Sequence, residues 1–216
     1  MYSTLNKTSL NDVNQNRVYL EVGGVRYEGW MGISIKHSIE TLCGAFDLTV
    51  FDKWNGQTSG WDISAGNSCV VKIGSDIMIT GYVDANSVSM DASSHTITIQ
   101  GRDKAGDLVD CSAVAKEWTG QKFEFIANEL TRPFGVTVTT QLASDESGYT
   151  TKQAVAPAKN GGKKLARQSV KGDQTVQDAL KKRAEVQGVL IISDRKGGLL
   201  ITRAGLGGRC ADALVL

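Results

Sequence analysis

Residues 17–30, RVYLEVGGVRYEGW, decide the fold of the first half of the chain. Apolar side chains alternate with other residues from Val18 to Val22, which is the period of a strand with one buried face. The pair Gly23-Gly24 follows, and paired glycines supply the positive φ angles that a two-residue hairpin turn requires. The stretch therefore predicts a β-hairpin whose return strand begins at Val25.

Short alternating runs continue through the following residues, separated by turn residues such as Gly74-Ser75 and without helical spacing. Short antiparallel strands in such close succession are typical of a barrel or a sandwich. We therefore predict a mainly β protein with an antiparallel β-barrel, tube-like domain at residues 17–110. Residues 1–16 are polar and rich in Asn, Ser and Thr, which predicts a flexible N-terminal arm.

Residues 111–216 predict a smaller mixed α/β domain, because helical and strand periods both occur there. Residues 122–130 have helical spacing and end before Pro133, which disfavours helix at the residue before it. Residues 173–175 can cap a second amphipathic helix. Between the two helices, the polar stretch at about 143–164 exceeds the usual length of a loop, and we expect it to be mobile.

The composition argues against several functional classes. The 216 residues carry 24 basic and 23 acidic side chains, for a formal net charge of +1, and 41% of them are hydrophobic. These values are typical of a globular protein and do not suggest specific nucleic-acid binding. Residues 1–151 carry 11 basic and 18 acidic side chains, whereas residues 152–216 carry 13 and 5. We therefore expect the two parts to contact different charged partners.

Metal, cofactor and membrane signals are missing from the sequence pattern. The four cysteines form no CxxC pair, and His37 and His95 have no neighbours at metal-ligand spacing. No apolar run approaches the roughly 18 residues of a membrane span. We expect no cofactor, no metal site and no membrane contact.

The densest cluster of carboxylates lies in Gly101-Arg102-Asp103-Lys104 and the following Asp107-Leu108-Val109-Asp110. Paired carboxylates can act as acid and base or hold Mg²⁺. The spacing favours a structural explanation, with Asp103 as the N-cap of a short helix and Lys104 neutralising Asp107 one turn on. We therefore predict no catalytic residue here and expect that the protein is not an enzyme.

Three tryptophans are candidates for subunit contacts. Trp30, Trp54 and Trp61 lie in or beside predicted loops, where an aromatic side chain can anchor an interface. Packing on the barrel is the alternative for each of them.

The order of these elements resembles the baseplate hub protein of Mu-type contractile phage tails, the late control protein D or spike-hub family. The resemblance begins at the hairpin of residues 17–30 and continues through Phe46-Asp47-Leu48 and the stretch 79–84. It includes the helix that starts at Thr175 and runs into the strand after Gly188. Its most specific part is a structural junction motif made of Gly101, Arg102, Asp103, Lys104, Asp107, Leu108 and Asp110.

The resemblance implies a structural virion protein made in the host cytoplasm. It implies a homotrimeric hub that connects the sixfold tail tube to the threefold spike and nucleates tube assembly. The implied partners are the tail tube protein, the spike protein and the baseplate wedge proteins. Family members continue beyond the strand at residues 201–203, so we expect this chain, which ends at Leu216, to be the first portion of a longer hub.

Two other functions stay open. A hub-associated peptidoglycan-binding or hydrolytic module would need paired carboxylates in a cleft, and only the cluster from Asp103 to Asp110 offers them. A nucleic-acid-binding barrel would need basic and aromatic residues on the barrel itself, and the acidic character of the first part argues against it.

Overall fold

The computed structural model describes residues 16–51, 62–91, 95–142 and 167–203. The chain divides into two compact units, which we call the first unit (Met1–His37 with Gly44–Lys104) and the second unit (Ser38–Cys43 with Ala105–Leu216). The predicted mobile loop lies outside the described residues, as does the predicted arm up to residue 15. Residues 38–43 and 105–110, which the sequence pattern places in the barrel domain, belong to the second unit.

The first unit contains a seven-stranded antiparallel sheet with the spatial order β2-β1-β5-β6-β7-β4-β3. The predicted hairpin is confirmed, since β1 pairs with β2 across two glycines that both have positive φ. The strands are β1 Val18–Val22, β2 Val25–Tyr27, β3 Gly32–Lys36, β4 Ala45–Phe51, β5 Ser68–Ile73, β6 Asp76–Met90 and β7 His95–Asp103.

The sheet is curled, which confirms the predicted barrel-like architecture. Its two edge strands, β2 and β3, are joined by residues 28–31 alone. A flat sheet would hold the first and seventh strands about 29 Å apart, at roughly 4.8 Å per step. The five Cα steps from Tyr27 to Gly32 reach about 17 Å at most. The short connection therefore requires the sheet to curl and bring its edges together.

The edge strands also run in the same direction, because six successive antiparallel pairings separate them. Residues 25–36 thus pass along one edge, bend at Gly29 with a φ of 92° and continue along the other. The amide of Met31 already donates to Thr49 O at 2.8 Å, beside the β3–β4 ladder. Residues 25–36 therefore connect the two edges of the curled sheet.

Alternating side chains of the sheet form the core of the first unit. Residues such as Leu20, Leu48, Val71 and Ile99 are fully buried on one face, and each buried side chain of this size contributes about 1.5–3 kcal/mol relative to exposure. β6 has a bulge between Val83 and Ala85. Its buried apolar residues, such as Ile79 and Val83, lie before the bulge, whereas Val88 and Met90 beyond it are exposed.

The second unit mixes short helices with two small sheets. Its core includes buried residues from all three helices, among them Leu108, Ile126 and Leu180. The short strand at Lys116–Thr119 has one buried side chain, Trp118. One buried residue does not make an alternating pattern, so the sequence does not predict this strand. The elements are α1 Gly106–Asp110, β8 Lys116–Thr119, α2 Phe123–Thr131, a 3₁₀ turn Arg132–Phe134, β9 Val138–Thr140, β10 Arg167–Val170, α3 Val176–Gln187, β11 Leu190–Ser193 and β12 Leu199–Thr202.

Local signals explain the helix ends of the second unit. Thr175 caps α3 as predicted, since its Oγ1 accepts from the amide of Asp178 at 3.1 Å. Gly188 ends α3 in the left-handed region with a φ of 62°. β12 lies between β11, to which it is antiparallel, and β9, to which it is parallel.

The charge asymmetry is smaller when the chain is divided by structure. The first unit carries 8 basic and 10 acidic side chains, a formal charge of −2, and the second carries 16 and 13, a charge of +3. Thr151 lies inside the second unit, so a division after Thr151 does not follow the boundary between the units. The net charges of −7 for residues 1–151 and +8 for residues 152–216 therefore do not describe the two units. None of the described helices is both long enough and apolar enough to cross a bilayer.

Candidate functional site

The junction motif spans the end of one unit and the start of the next. Gly101, Arg102 and Asp103 are the last residues of β7, and Lys104 ends the first unit. The remaining members, Asp107, Leu108 and Asp110, lie on α1, where Leu108 is buried and both aspartates are exposed. The motif therefore marks the place where the chain leaves the barrel-like sheet.

Asp103 and Gly44 hold each other by two hydrogen bonds. The Gly44 amide donates to Asp103 Oδ2 at 2.7 Å, and the Asp103 amide donates to Gly44 O at 3.1 Å. The Asp103 side chain is only 2% exposed, so its carboxylate is committed to this contact. A buried carboxylate requires such donors, because burial without them has a large free-energy cost.

Gly44 leaves room for the side chains of His37 and Asp103. A Cβ there would lie 2.6 Å from His37 Cε1 and 3.2 Å from Asp103 Oδ2, and the first of these distances is closer than van der Waals contact permits. The His37 ring is fixed in turn, since its Nε2 donates to Met78 O at 2.9 Å. The carbonyl cannot donate, so Nε2 carries the proton.

The ends of three strands are thereby held against β6. The chain leaves the first unit after His37, returns at Gly44 and leaves again after Lys104. His37 bonds to Met78, and the amide of Lys104 donates to Thr80 O at 3.2 Å. We call this group (His37, Gly44, Met78, Asp103 and Lys104) the junction cluster. It fixes within the first unit the positions at which the chain departs and returns.

Polar pairs cover the other face of the same strands. Arg102 Nε donates to Asp84 Oδ2 at 2.7 Å, and Gln100 Nε2 donates to Asp47 Oδ2 at 2.7 Å. Both members of the Arg102–Asp84 pair are more than one third exposed. Exposed pairs of this kind contribute about 0–1 kcal/mol, so they add little to the stability of the sheet.

The predicted capping role of Asp103 is wrong. Asp103 belongs to β7, and the N-cap of α1 is Ala105. The partner of Asp103 is Gly44, a residue far away in the sequence. Local spacing cannot indicate such a contact.

The cluster of carboxylates forms no evident catalytic arrangement in the described part of the chain. Asp103 is buried and hydrogen-bonded in the first unit, whereas Asp107 and Asp110 are exposed on α1. No group of three or more His, Cys, Asp and Glu side chains that could hold a metal occurs among the residues in the described ranges. The arrangement supports positioning of the backbone.

Of the candidate interface tryptophans, the structure places Trp30. It is partly buried and packs against the core of the first unit, beside the bend at Gly29. Trp54 and Trp61 lie outside the described residues.

The sequence analysis did not predict the burial of two charged residues of the second unit. Glu124 on α2 is 2% exposed and Arg183 on α3 is 4% exposed. Burial raises the pKa of Glu124 and lowers the pKa of Arg183. A signal for Glu124 exists in hindsight, because it shares the face of Ala127 and Thr131, which are both fully buried.

Two family models match the chain in succession. The N-terminal domain of the Mu phage baseplate assembly protein GpP-like family matches residues 17–103. The second domain of the baseplate hub protein gp44-like family matches residues 105–203. The boundary between the two matches coincides with the end of the first unit at Lys104.

Individual relatives agree with the family models. The baseplate hub protein gp44 of Escherichia phage Mu is 34% identical over 203 residues, which cover 93% of this chain and 49% of that protein. The 43 kDa tail protein of prophage MuSo2 from Shewanella oneidensis has 35% identity and a TM-score of 0.72, with 88% of this chain and 55% of that chain covered.

A second solved structure shares the fold. The tail protein from Neisseria meningitidis MC58 has 24% identity and a TM-score of 0.66, with 86% of this chain and 49% of that chain covered. The chain therefore spans about half the length of the relatives that it matches.

Proposed function

Because the chain belongs to the family of Mu-type phage baseplate hub proteins, we propose that it connects the sixfold tail tube to the threefold spike and nucleates tube assembly. It is a structural component of the phage tail baseplate, and hence of the virion. The observation that carries the proposal is the succession of the two hub-family domains along one chain, a barrel-like sheet followed by a mixed α/β unit.

In this proposal three copies of the chain form a homotrimer. The partners are the tail tube protein at one side, the spike protein at the other and the baseplate wedge proteins around the hub. The protein is made in the host cytoplasm and then built into the virion. Neither a metal nor a cofactor is needed for this function, and no membrane or specific nucleic-acid contact belongs to it.

The proposal is that the protein acts without catalysis. The buried carboxylate of the junction motif accepts a backbone hydrogen bond, and the motif's exposed carboxylates lie on a short surface helix. These roles support positioning, since a glycosidase needs two carboxyl groups facing a common substrate site.

Mass measurement of the full-length hub, alone and with purified tube and spike proteins, tests the assembly. We expect a trimer that caps short tubes and binds the spike, visible as threefold particles by electron microscopy. A monomer that stays unassembled in the presence of both partners would contradict the proposal.

A peptidoglycan-release assay tests the absence of catalysis. We expect no release by the wild-type protein and an unchanged result with Asp107→Asn. Hydrolysis that Asp107→Asn abolishes would establish the hydrolytic module instead.

A further inference from the structure

Glu124 occupies an unusual position for a carboxylate. It is the second residue of α2 and lies on the buried side of that helix, 2% exposed. Both of its carboxylate oxygens are buried, and among the described residues neither has a hydrogen-bond partner other than the backbone amide of Glu124 itself. Buried polar atoms are normally paired, so an unpaired carboxyl group requires an explanation.

The charged groups on α2 and in its flanks leave Glu124 without a salt bridge. Lys122, immediately before the helix, favours the ionised form of Glu124 by its charge, as does the helix's own backbone amide at position 124. Glu129, one turn and a half further on, is paired with Lys116 of β8 and lies 4.0 Å from Arg132 of the 3₁₀ turn. Lys116 and Arg132 are therefore engaged by Glu129, whereas Lys122 acts on Glu124 through its charge.

Among the described residues, the elements packed on α2 place no charge partner beside Glu124 either. β9 presents Val138, Thr139 and Thr140, which are uncharged. The buried cation of α3 is Arg183, whose Nη1 and Nη2 donate to the carbonyls of Ala179 and Ser169. On β8 the remaining charge is Glu117, which is paired with Arg167.

A carboxylate in such surroundings is much less stable than a carboxylic acid, because ionisation would leave a buried charge unpaired. We propose that the folded second unit holds Glu124 as the neutral acid and that loss of this proton opens the first turn of α2. The proton leaves to water, and the resulting carboxylate gains solvation only when the turn opens. Glu124 is thus a proton-controlled switch within the unit, independent of the proposed function.

The direction of the effect follows from linkage. Burial raises the pKa of Glu124 in the folded state above its value in the open state. The closed turn is therefore fully stable below the ordinary pKa of a glutamate and loses stability as the pH rises through the raised value. Between the ordinary value and the raised value each pH unit makes opening up to about tenfold more favourable, and above the raised value the effect levels off because both states have lost the proton.

Hydrogen exchange of the Ile126 amide measures this opening, because that amide donates to Lys122 O at 3.2 Å and closes the first turn. After correction for the intrinsic pH dependence of exchange, we expect its protection in the wild-type protein to fall as the pH rises above the ordinary range of a glutamate. In Glu124→Gln the protection should not vary with pH. In the matched control Glu129→Gln it should fall as in the wild type, since the pairing with Lys116 holds the pKa of Glu129 below its ordinary value.

A titration of the wild-type protein by ¹³C NMR of the side-chain carboxyl makes the test independent of how well the variants fold. We expect the Glu124 carboxyl signal to titrate at a pH above the ordinary range of a glutamate. A midpoint at the ordinary value would overturn the proposal. Equal pH dependence of Ile126 protection in the wild type and Glu124→Gln would overturn it as well.

Discussion

The ring of Phe46 lies directly over Gly101, so that a Cβ on Gly101 would be 2.4 Å from Phe46 Cζ. The two residues are cross-strand partners in the β4–β7 ladder. The same Cβ would also lie 2.4 Å from Tyr82 O on β6. The junction motif thus begins at a glycine that lets an aromatic ring and a neighbouring backbone approach β7 closely.

Gly101→Ala should destabilise the first unit by about 1–3 kcal/mol, because the added methyl group overpacks the core against a backbone atom that cannot rotate away. Urea unfolding with an unchanged slope measures this loss. The matched control is Gly32→Ala in the same sheet, where a Cβ would meet Thr49 Cβ at 3.4 Å. Equal stabilities of the two variants would contradict the steric account.

Asp103→Ala should lower the free energy of unfolding by about 1–3 kcal/mol, since the buried Gly44 amide loses its acceptor. Asp84→Ala removes an exposed carboxylate that pairs with Arg102 and should cost less than about 1 kcal/mol. Chemical denaturation of both variants gives the comparison. A loss at position 84 as large as that at position 103 would argue against a special role for the junction cluster.

Thr175→Ala should destabilise the second unit by about 0.5–2 kcal/mol, because the amide of Asp178 then lacks its capping acceptor. Thr175→Ser keeps the hydroxyl group and should retain most of the stability. Thermal unfolding followed by far-ultraviolet circular dichroism distinguishes the two. If the serine variant is as unstable as the alanine variant, the capping bond is not the source of the effect.

Cys69 and Cys111 should differ in their reactivity towards a thiol reagent. Burial, with the negative charge of Asp84 as a smaller contribution, raises the pKa of the Cys69 thiol to about 12. At pH 8 Cys69 therefore has almost no thiolate and reacts only on unfolding, whereas Cys111 is exposed. Mass spectrometry after brief alkylation should find the label on Cys111, and rapid labelling of Cys69 in the folded protein would contradict its burial.

The local sequence pattern was sufficient to predict an element wherever its buried residues recur with a regular period. The hairpin of β1 and β2 and the capped helix α3 are examples, since alternation, paired glycines and a capping threonine act within a few residues of each other. The resemblance to the hub family was carried by the order of such elements. It is confirmed by the two family models.

The local sequence pattern could not predict contacts between residues that are far apart in the chain. The partner of Asp103 is Gly44, and the two are adjacent only because β4 pairs with β7. The spacing around Asp103 favoured a helix cap instead. Glu124 was missed for a related reason, because its burial depends on what packs on α2 rather than on its own neighbours in sequence.

The pairing order of the sheet also determines when the first unit can fold on the ribosome. β4 receives its inner neighbour β7 only after β5 and β6 have been synthesised. Until then the apolar face of β4, with Phe46, Leu48 and Val50, has no core to enter. A nascent chain or fragment that ends before residue 95 leaves β4 and β6 with unpaired edges and should aggregate rather than fold. The ribosome must therefore synthesise the first unit through β7 before any part of its sheet can fold stably.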